Sequence, residues 1–275
     1  MSKLSEKFSK RKCLITFITA GDPSLPVTEK LIYQLEKAGA DIIELGIPFS
    51  DPLADGPVIQ ASHQRALKKN VSLAAVFKLV AKVRRKTQLP ICFMLSYNLV
   101  AQYGEDKFYA DCERVGVDGV IIPDLPPEEA RSEERGAGVD TIFLVAPTST
   151  DERIKLIAER SSGFVYLISV TGITGKREKL SGDLQGLVAR IRKYTKLPVA
   201  VGFGISKPSQ AAEVTRIADG VIVGSAIVDL IAKGKIRSVS QFVSSLRKAI
   251  DASTSLSVDP EHLDSARCCR GIDAG

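Results

Sequence analysis

Ala38-Gly39-Ala40-Asp41-Ile42-Ile43-Glu44-Leu45-Gly46-Ile47 holds a helix end, a tight turn and a buried strand in ten residues. Gly39 suits the left-handed conformation that closes a helix C-terminus. Asp41 then opens a run too uniformly apolar for a strand with one wet face, the pattern of a parallel strand covered on both sides. The same punctuation, one or two small residues, an Asp and then an apolar run, returns at Val115–Asp118, Gly136–Asp140 and Ile217–Gly220.

Working outward, eight such runs appear: Leu14–Ala20, Asp41–Ile47, Ile91–Leu95, Gly119–Pro123, Thr141–Ala146, Phe164–Val170, Val199–Gly204 and Gly220–Gly224. Helical patterns separate them. Within Ser72–Lys86, Leu73, Val76, Phe77, Val80 and Val83 recur at i, i+3, i+4, i+7 spacing with Lys and Arg opposite. Strands alternating with helices form a closed barrel or a large open sheet. No G-x-G-x-x-G follows the first strand and the spacing is regular, which favours the barrel. The expected class is α/β: a single (β/α)8 TIM barrel with an extra N-terminal helix over residues 1–250, and a short C-terminal tail, 251–275, expected to be poorly ordered because it lacks periodicity.

Composition narrows the function classes. The net charge of +6 is spread along the chain with no Lys/Arg cluster interleaved with aromatics, so no nucleic acid is expected, while an anionic small molecule suits the balance. No run approaches the roughly 18 apolar residues of a membrane helix. Lys-rich Met1–Lys12 followed by Cys13–Ala20 superficially resembles a signal peptide, but the apolar run is short, β-branched and broken at Gly21-Asp22-Pro23, so it reads as the first strand. The 5 cysteines form no C-x-x-C pair, which argues for a reducing, cytoplasmic setting and against a disulfide or metal scaffold; adjacent Cys268 and Cys269 belong to the tail.

In such a barrel the chemistry lies at the C-terminal ends of the strands. Glu44 is the one charge inside its apolar run. It is either an outward, salt-bridged residue or an inward carboxylate whose burial raises its pKa and suits acid–base work. Asp51 and Asp55 follow on a loop punctuated by Pro52, Gly56 and Pro57, as functional groups or as turn residues. Gly202-Phe203-Gly204-Ile205-Ser206 and Gly224-Ser225 close the last two strands, where this fold binds phosphate with backbone N–H groups and a helix N-terminus. Tight strand-to-helix turns are the other use of those glycines. The span Thr171–Leu184, with Gly172, Gly175, Gly182, Lys176, Arg177 and Lys179, reads as a basic lid or as solvated charge. His63 falls in a helix and His262 in the tail, so neither a His-based metal site nor a Ser-His triad is apparent. No strand end offers a lysine for a Schiff base, so carbon–carbon cleavage here needs a substrate carrying its own electron sink.

Together these motifs resemble the tryptophan synthase α subunit family. The resemblance rests on Phe17–Pro23, Glu44–Pro57, Asp124–Glu129, Tyr166–Gly175, Gly202–Ser206 and Gly224–Val228, in order over roughly residues 1–250, and the Glu44–Pro57 run is its most specific part. It implies a carbon–carbon lyase of tryptophan biosynthesis: retro-aldol cleavage of indole-3-glycerol phosphate to indole and glyceraldehyde 3-phosphate. Protonation of indole C3 makes the ring the electron sink. The resemblance implies Glu44 as the acid/base, Asp55 as acceptor of the indole N–H, and Gly175, Gly204, Gly224 and Ser225 at the phosphate. It likewise implies Phe17 and Phe203 in the indole pocket, Tyr166 as the active-site tyrosine, Thr174 as the lid threonine, and Asp51 in coupling between subunits. No cofactor or metal is implied in this chain. Pyridoxal phosphate belongs to a partner β subunit that receives indole by channelling in an allosteric α2β2 complex.

Two features depart from the family pattern: Ser96 and Leu99 stand where a tyrosine and a proline are usual, and Ala130–Val139 is short, implying a trimmed fourth helix. The alternatives are a catalytically silent α-like activator of a β subunit and a stand-alone indole-3-glycerol phosphate lyase.

Overall fold

Asp41 does more than open a strand. Its N–H donates to the Leu14 carbonyl at 2.8 Å, and its carboxylate accepts the Leu14 N–H at 2.8 Å, so one residue satisfies both backbone groups of its neighbour. Asp118 treats Ile91 identically, at 2.9 and 2.9 Å, and Asp219 treats Val199 at 2.9 and 3.0 Å. Ser162 serves Thr141 in the same way through its hydroxyl, at 2.8 and 2.9 Å. At 41, 118 and 219 the recurrent Asp is therefore a side-chain extension of the ladder at strand N-terminal ends, where backbone groups otherwise lose their partners, whereas Asp140 gives only its N–H, to the Asp118 carbonyl.

The computed structural model describes residues 2–52, 55–130, 138–168, 177–202 and 204–255, with the backbone alone for 177–183. The chain runs α1 (Lys3–Lys10), β1 (Cys13–Thr19), α2 (Leu25–Lys37), β2 (Ile42–Gly46), α3 (Pro57–Leu67), α4 (Leu73–Val83), β3 (Ile91–Met94), α5 (Tyr97–Tyr103), α6 (Glu105–Val115) and β4 (Gly119–Ile121). It continues through β5 (Asp140–Ile142), β6 (Leu144–Val145), α7 (Asp151–Arg160), β7 (Val165–Ile168), α8 (Arg177–Arg192), β8 (Val199–Gly202), α9 (Pro208–Ile217), β9 (Gly220–Val223), α10 (Ser225–Ala232) and α11 (Ile236–Ser255).

All strand pairings among the described residues are parallel, in the order β5-β4-β3-β2-β1-β9-β8-β7-β6. The two ends of that order, β5 and β6, are the halves of one expected strand, broken at Phe143. β5 pairs back to β4 and β6 pairs on to β7, and the Phe143 carbonyl accepts the Tyr166 N–H at 3.1 Å, so the ring closes across the break. The fold is the TIM barrel.

Alternation along each strand separates two cores. Ile43, Leu45, Val120, Val165, Leu167 and Val221 face the helices, while Ile15, Ile42, Cys92, Ile121, Tyr166 and Ile222 fill the barrel interior. α1 stoppers the bottom: Leu4 is fully buried and the Phe8 ring lies 5.4 Å from that of Phe164. α4 follows the expected apolar face, with Ser72 capping it and Leu73, Val76, Phe77, Val80 and Val83 buried.

Two boundaries differ from expectation. α8 begins at Arg177, so much of the span read as a lid is helical backbone, with Gly182 and Gly186 tolerated inside it; Arg, Glu, Lys and Leu are good helix formers and outweigh them. The last helix runs on to Ser255 with Ser253 buried, beyond the boundary placed at Ile250. Residues 131–137, which hold most of the shortened segment, and residues 256–275 lie outside the described ones.

Asp41 also accepts from Arg11 at 2.8 Å and from buried Arg247 at 2.9 Å. Asp41→Ala strands a buried N–H and a buried guanidinium together, and is expected to cost about 3 kcal/mol or more in urea unfolding. Asp41→Asn keeps an acceptor for Leu14 and is expected to cost less.

Candidate active site

The mouth of the barrel holds a cavity of about 380 Å³, within the usual range for a small-molecule site. β1 supplies Phe17, β2 supplies Gly46 and β3 supplies Met94. The loop after β2 adds Phe49, Asp51 and Asp55, and α3 adds His63. Phe17 faces inward and packs on Ile59 of α3 and Val228 of α10, so one aromatic ring joins the first strand to both helices.

Room for the aromatic walls comes from glycine. A Cβ on Gly46 would sit 2.5 Å from the Phe17 ring, and one on Gly202 would sit 2.6 Å from the Tyr166 ring and hydroxyl. A Cβ on Gly224 would meet the Phe17 Cβ at 3.2 Å, whereas one on Gly204 would meet nothing within 4 Å among the described residues. Some strand-end glycines therefore exist for close approach of rings.

Glu44 points into the barrel, as its place between outward Ile43 and Leu45 requires, and is 1% exposed. No salt bridge to it occurs among the described residues, so the outward, salt-bridged alternative does not hold. Burial, reinforced by the nearby charge of Asp55, raises its carboxyl to about 8. One carboxyl oxygen, Oε2, is buried without a hydrogen-bond partner among the described residues. Asp55 is only partly buried and is raised, by burial, to about 6. Tyr166 lies in the interior layer and is pushed far up by burial and then by both carboxylates, which places all three groups in one electrostatic neighbourhood. At neutral pH the inner carboxyl keeps its proton and the outer one is largely ionised, an acid beside a base.

The loop carrying Asp55 is held from α3. The Asp55 carbonyl accepts Gln60 Nε2 at 2.8 Å, and Phe49 N–H donates to His63 Nδ1 at 3.1 Å. α3 itself is fixed to the first strand and its loop by Ser62–Thr19 at 2.6 Å and by a bidentate Arg65–Asp22 pair at 2.8 and 2.7 Å. On the opposite wall Ser96 donates to Asp124 at 2.6 Å and Tyr97 N–H donates to the same carboxylate at 2.8 Å. The departure at Ser96 thus gives a polar wall, while Leu99 packs against the outer core and does not line the cavity.

Of the residues expected in the site, Phe17, Asp51 and Asp55 line the cavity, and Glu44 and Tyr166 lie buried beside them. Gly224 caps α10, whose first residue is Ser225, and no side chain among the described residues caps that helix. Gly175, Thr174 and Phe203 lie outside the described residues. His63 is the residue that sequence reasoning passed over. Its signal was present in Ile59, Ser62, His63 and Ala66, which follow i, i+3, i+4, i+7 on the buried face of α3.

With this geometry in view, a family model described as tryptophan synthase alpha chain matches residues 3–254. The chain belongs to the tryptophan synthase alpha chain family. It is 48% identical over 263 residues to the alpha chain of Citrifermentans bemidjiense, covering 91% of this chain and 98% of that one. The alpha chain of Thermoanaerobacter sp. (strain X514) is likewise 48% identical, with 91% and 100% covered. A crystal structure of the alpha chain from Legionella pneumophila superposes with a TM-score of 0.83 at 37% identity, covering 91% of this chain and 98% of that chain. Membership in the tryptophan synthase alpha chain family carries a lyase role in tryptophan synthesis.

The raised Glu44 carboxyl has a thermodynamic signature. Its unfolded value is 4.5 and its folded value about 8, so between those pH values the folded state holds a proton that the unfolded chain releases. Its contribution is most favourable below pH 4.5 and is lost as pH rises toward 8. Glu44→Gln removes this penalty. Thermal unfolding is expected to show the variant gaining on wild type from pH 5 to about pH 8, and parallel melting curves across that range would disprove the raised value.

Proposed function

We propose that this chain cleaves indole-3-glycerol phosphate to indole and glyceraldehyde 3-phosphate, with Glu44 and Asp55 as the catalytic pair. The carrying observation is the buried, proton-holding Glu44 beside a more exposed, more acidic Asp55 at an aromatic-walled cavity. Glu44 gives its proton to indole C3, and Asp55 accepts the indole N–H and offsets the positive charge on the ring, an interaction that strengthens in a dry site. The Glu44 carboxylate then takes the proton of the glycerol hydroxyl next to the ring. The carbon–carbon bond breaks, its electrons restore the aromatic ring, and the hydroxyl carbon leaves as the aldehyde. Glu44 ends the cycle protonated, as it began.

The phosphate sits at Gly204, Gly224 and Ser225, with Gly175 completing the set. Support comes from Gly204, where an added Cβ would meet no described atom within 4 Å, and from the start of α10, whose first N–H groups have no intrahelical acceptor and no side-chain cap among the described residues. Phe17 and Phe203 hold the indole, Tyr166 backs the pair, and Asp51 and Thr174 take part in closure and coupling. The chain needs no cofactor of its own. Its partner is a pyridoxal-phosphate β subunit in an α2β2 complex, to which indole passes directly; one related structure is of tryptophan synthase from M. tuberculosis, 34% identical with a TM-score of 0.82. Cytoplasmic location suits the three buried, unpaired cysteines Cys13, Cys92 and Cys112 among the described residues.

The test follows indole release from purified protein with indole-3-glycerol phosphate, with and without a β subunit. Release that rises strongly with β is the expected result. Fast release without β indicates a stand-alone lyase, and no release while the β reaction is still stimulated indicates a silent activator. Glu44→Gln is expected to abolish release with ligand binding nearly intact, and Asp55→Asn to lose about a hundredfold or more. An Asp55→Asn variant within about twofold of wild type would reduce Asp55 to a turn residue.

A further inference from the structure

The geometry points to His63 as a positioning residue for Asp55: its Nε2–H donates to the Asp55 carboxylate in the working site, while its Nδ1 ties down the loop that carries that carboxylate. This rests on the role proposed above for Asp55 and adds the group that aims it.

His63 is 5% exposed and lines the cavity from the pinned helix α3. Nδ1 accepts the Phe49 N–H at 3.1 Å. A ring nitrogen that accepts is bare, so the single proton of a neutral imidazole stands on Nε2. Burial lowers the His63 pKa and keeps the ring neutral. Nε2 is buried and has no hydrogen-bond partner among the described residues, and the nearest acceptor recorded for it is Asp55 Oδ2 at 3.7 Å. That distance is too long for a hydrogen bond, yet an unpaired buried donor is costly and rare. Asp55 holds the complementary vacancy. Its backbone is fixed through Pro52 and Gln60, whereas no hydrogen bond to its carboxylate occurs among the described residues. A rotation of the Asp55 side chain on a fixed backbone closes the gap. One carboxylate oxygen then takes the imidazole N–H, and the other is left for the substrate N–H.

Such an arrangement does two things a lone carboxylate does not. It selects one side-chain orientation before substrate arrives, and it favours the ionised form of Asp55, which burial otherwise disfavours. The charged groups that reach His63 are Asp55 from the loop and Asp22 from the segment after β1, the latter neutralised by its pair with Arg65.

Two isosteres separate the nitrogens. His63→Asn keeps an acceptor near Nδ1 and loses the Nε2 donor; His63→Gln reaches the Nε2 position with an amide N–H and gives up the Nδ1 acceptor. In indole release by the complex with β, His63→Asn is expected to lower kcat about tenfold or more with KM little changed. His63→Gln is expected to hold kcat within about threefold and to raise KM, because the loop is loosened. Wild-type kcat in His63→Asn, or an equal fall in both variants, overturns the proposal. A second readout needs no turnover. In 15N spectra of histidine-labelled wild type, His63 is expected with a bare Nδ1 and a protonated Nε2, and Asp55→Asn is expected to shift the Nε2 signal. The opposite tautomer overturns the proposal even if the enzyme is fully active. Failure of wild type to release indole counts against the function proposed for the site, and the spectra then decide the role of His63.

Discussion

A closed parallel barrel sends alternate side chains of every strand into a space that water does not share, and everything distinctive in this protein follows from what the sequence places there. Most inward positions carry Ile, Cys, Ala or aromatic side chains that fill the interior. One carries Glu44. In an open sheet the same residue would turn toward solvent or an arginine. In the ring it has no such exit, and its carboxyl keeps a proton at a pH where ordinary glutamates have lost theirs. Acidity is here a product of topology: register aligns Glu44 with Phe17 on one side and Cys92 on the other, and neither offers a countercharge.

Around that buried acid the upper layer is built by pairing large rings with missing side chains. Phe17 takes the space that Gly46 leaves, and Tyr166 takes the space that Gly202 leaves. Each ring is held in place by backbone on the adjacent strand, which is stiffer than any side chain. The cavity wall is thus defined by the sheet itself, while the polar groups that give it direction, Asp55 and His63, come from one loop and one helix fixed to each other and to the first strand.

Much of this was legible in the chain. Uniform apolar runs marked the strands, the lone Glu44 inside one of them marked the acid, and the small-residue-then-Asp repeat marked the turns. What escaped had local causes. Nothing about Phe143 distinguishes a strand residue from the point where pairing passes from one neighbour to the other, since that switch is set by closure of the ring. From Arg177 to Leu184 the span read as a lid is helical, because Gly182 was weighed above the helix formers around it, and its first part, 171–176, lies outside the described residues. Gly46 and Gly202 are visible as glycines, but the rings they admit stand on other strands, 29 and 36 residues away in the chain, at Phe17 and Tyr166. His63 was read as an ordinary helical residue because its partner sits on a loop whose path a linear pattern does not trace.

The aspartate that mimics a backbone carbonyl has a consequence for how such a chain assembles. Asp41 and Leu14 are 27 residues apart, Asp118 and Ile91 are 27 apart, Asp219 and Val199 are 20 apart, and Ser162 and Thr141 are 21 apart. Every stitch spans only 20 to 27 residues, so each closes a loop of modest length and modest entropy. Contacts of that span keep contact order low for a parallel sheet, a class that otherwise folds slowly. The bottom of the barrel is in this sense a zipper advanced one unit at a time, and the ring needs only a final long-range closure, between β1 and β9, to set the face that holds the cavity.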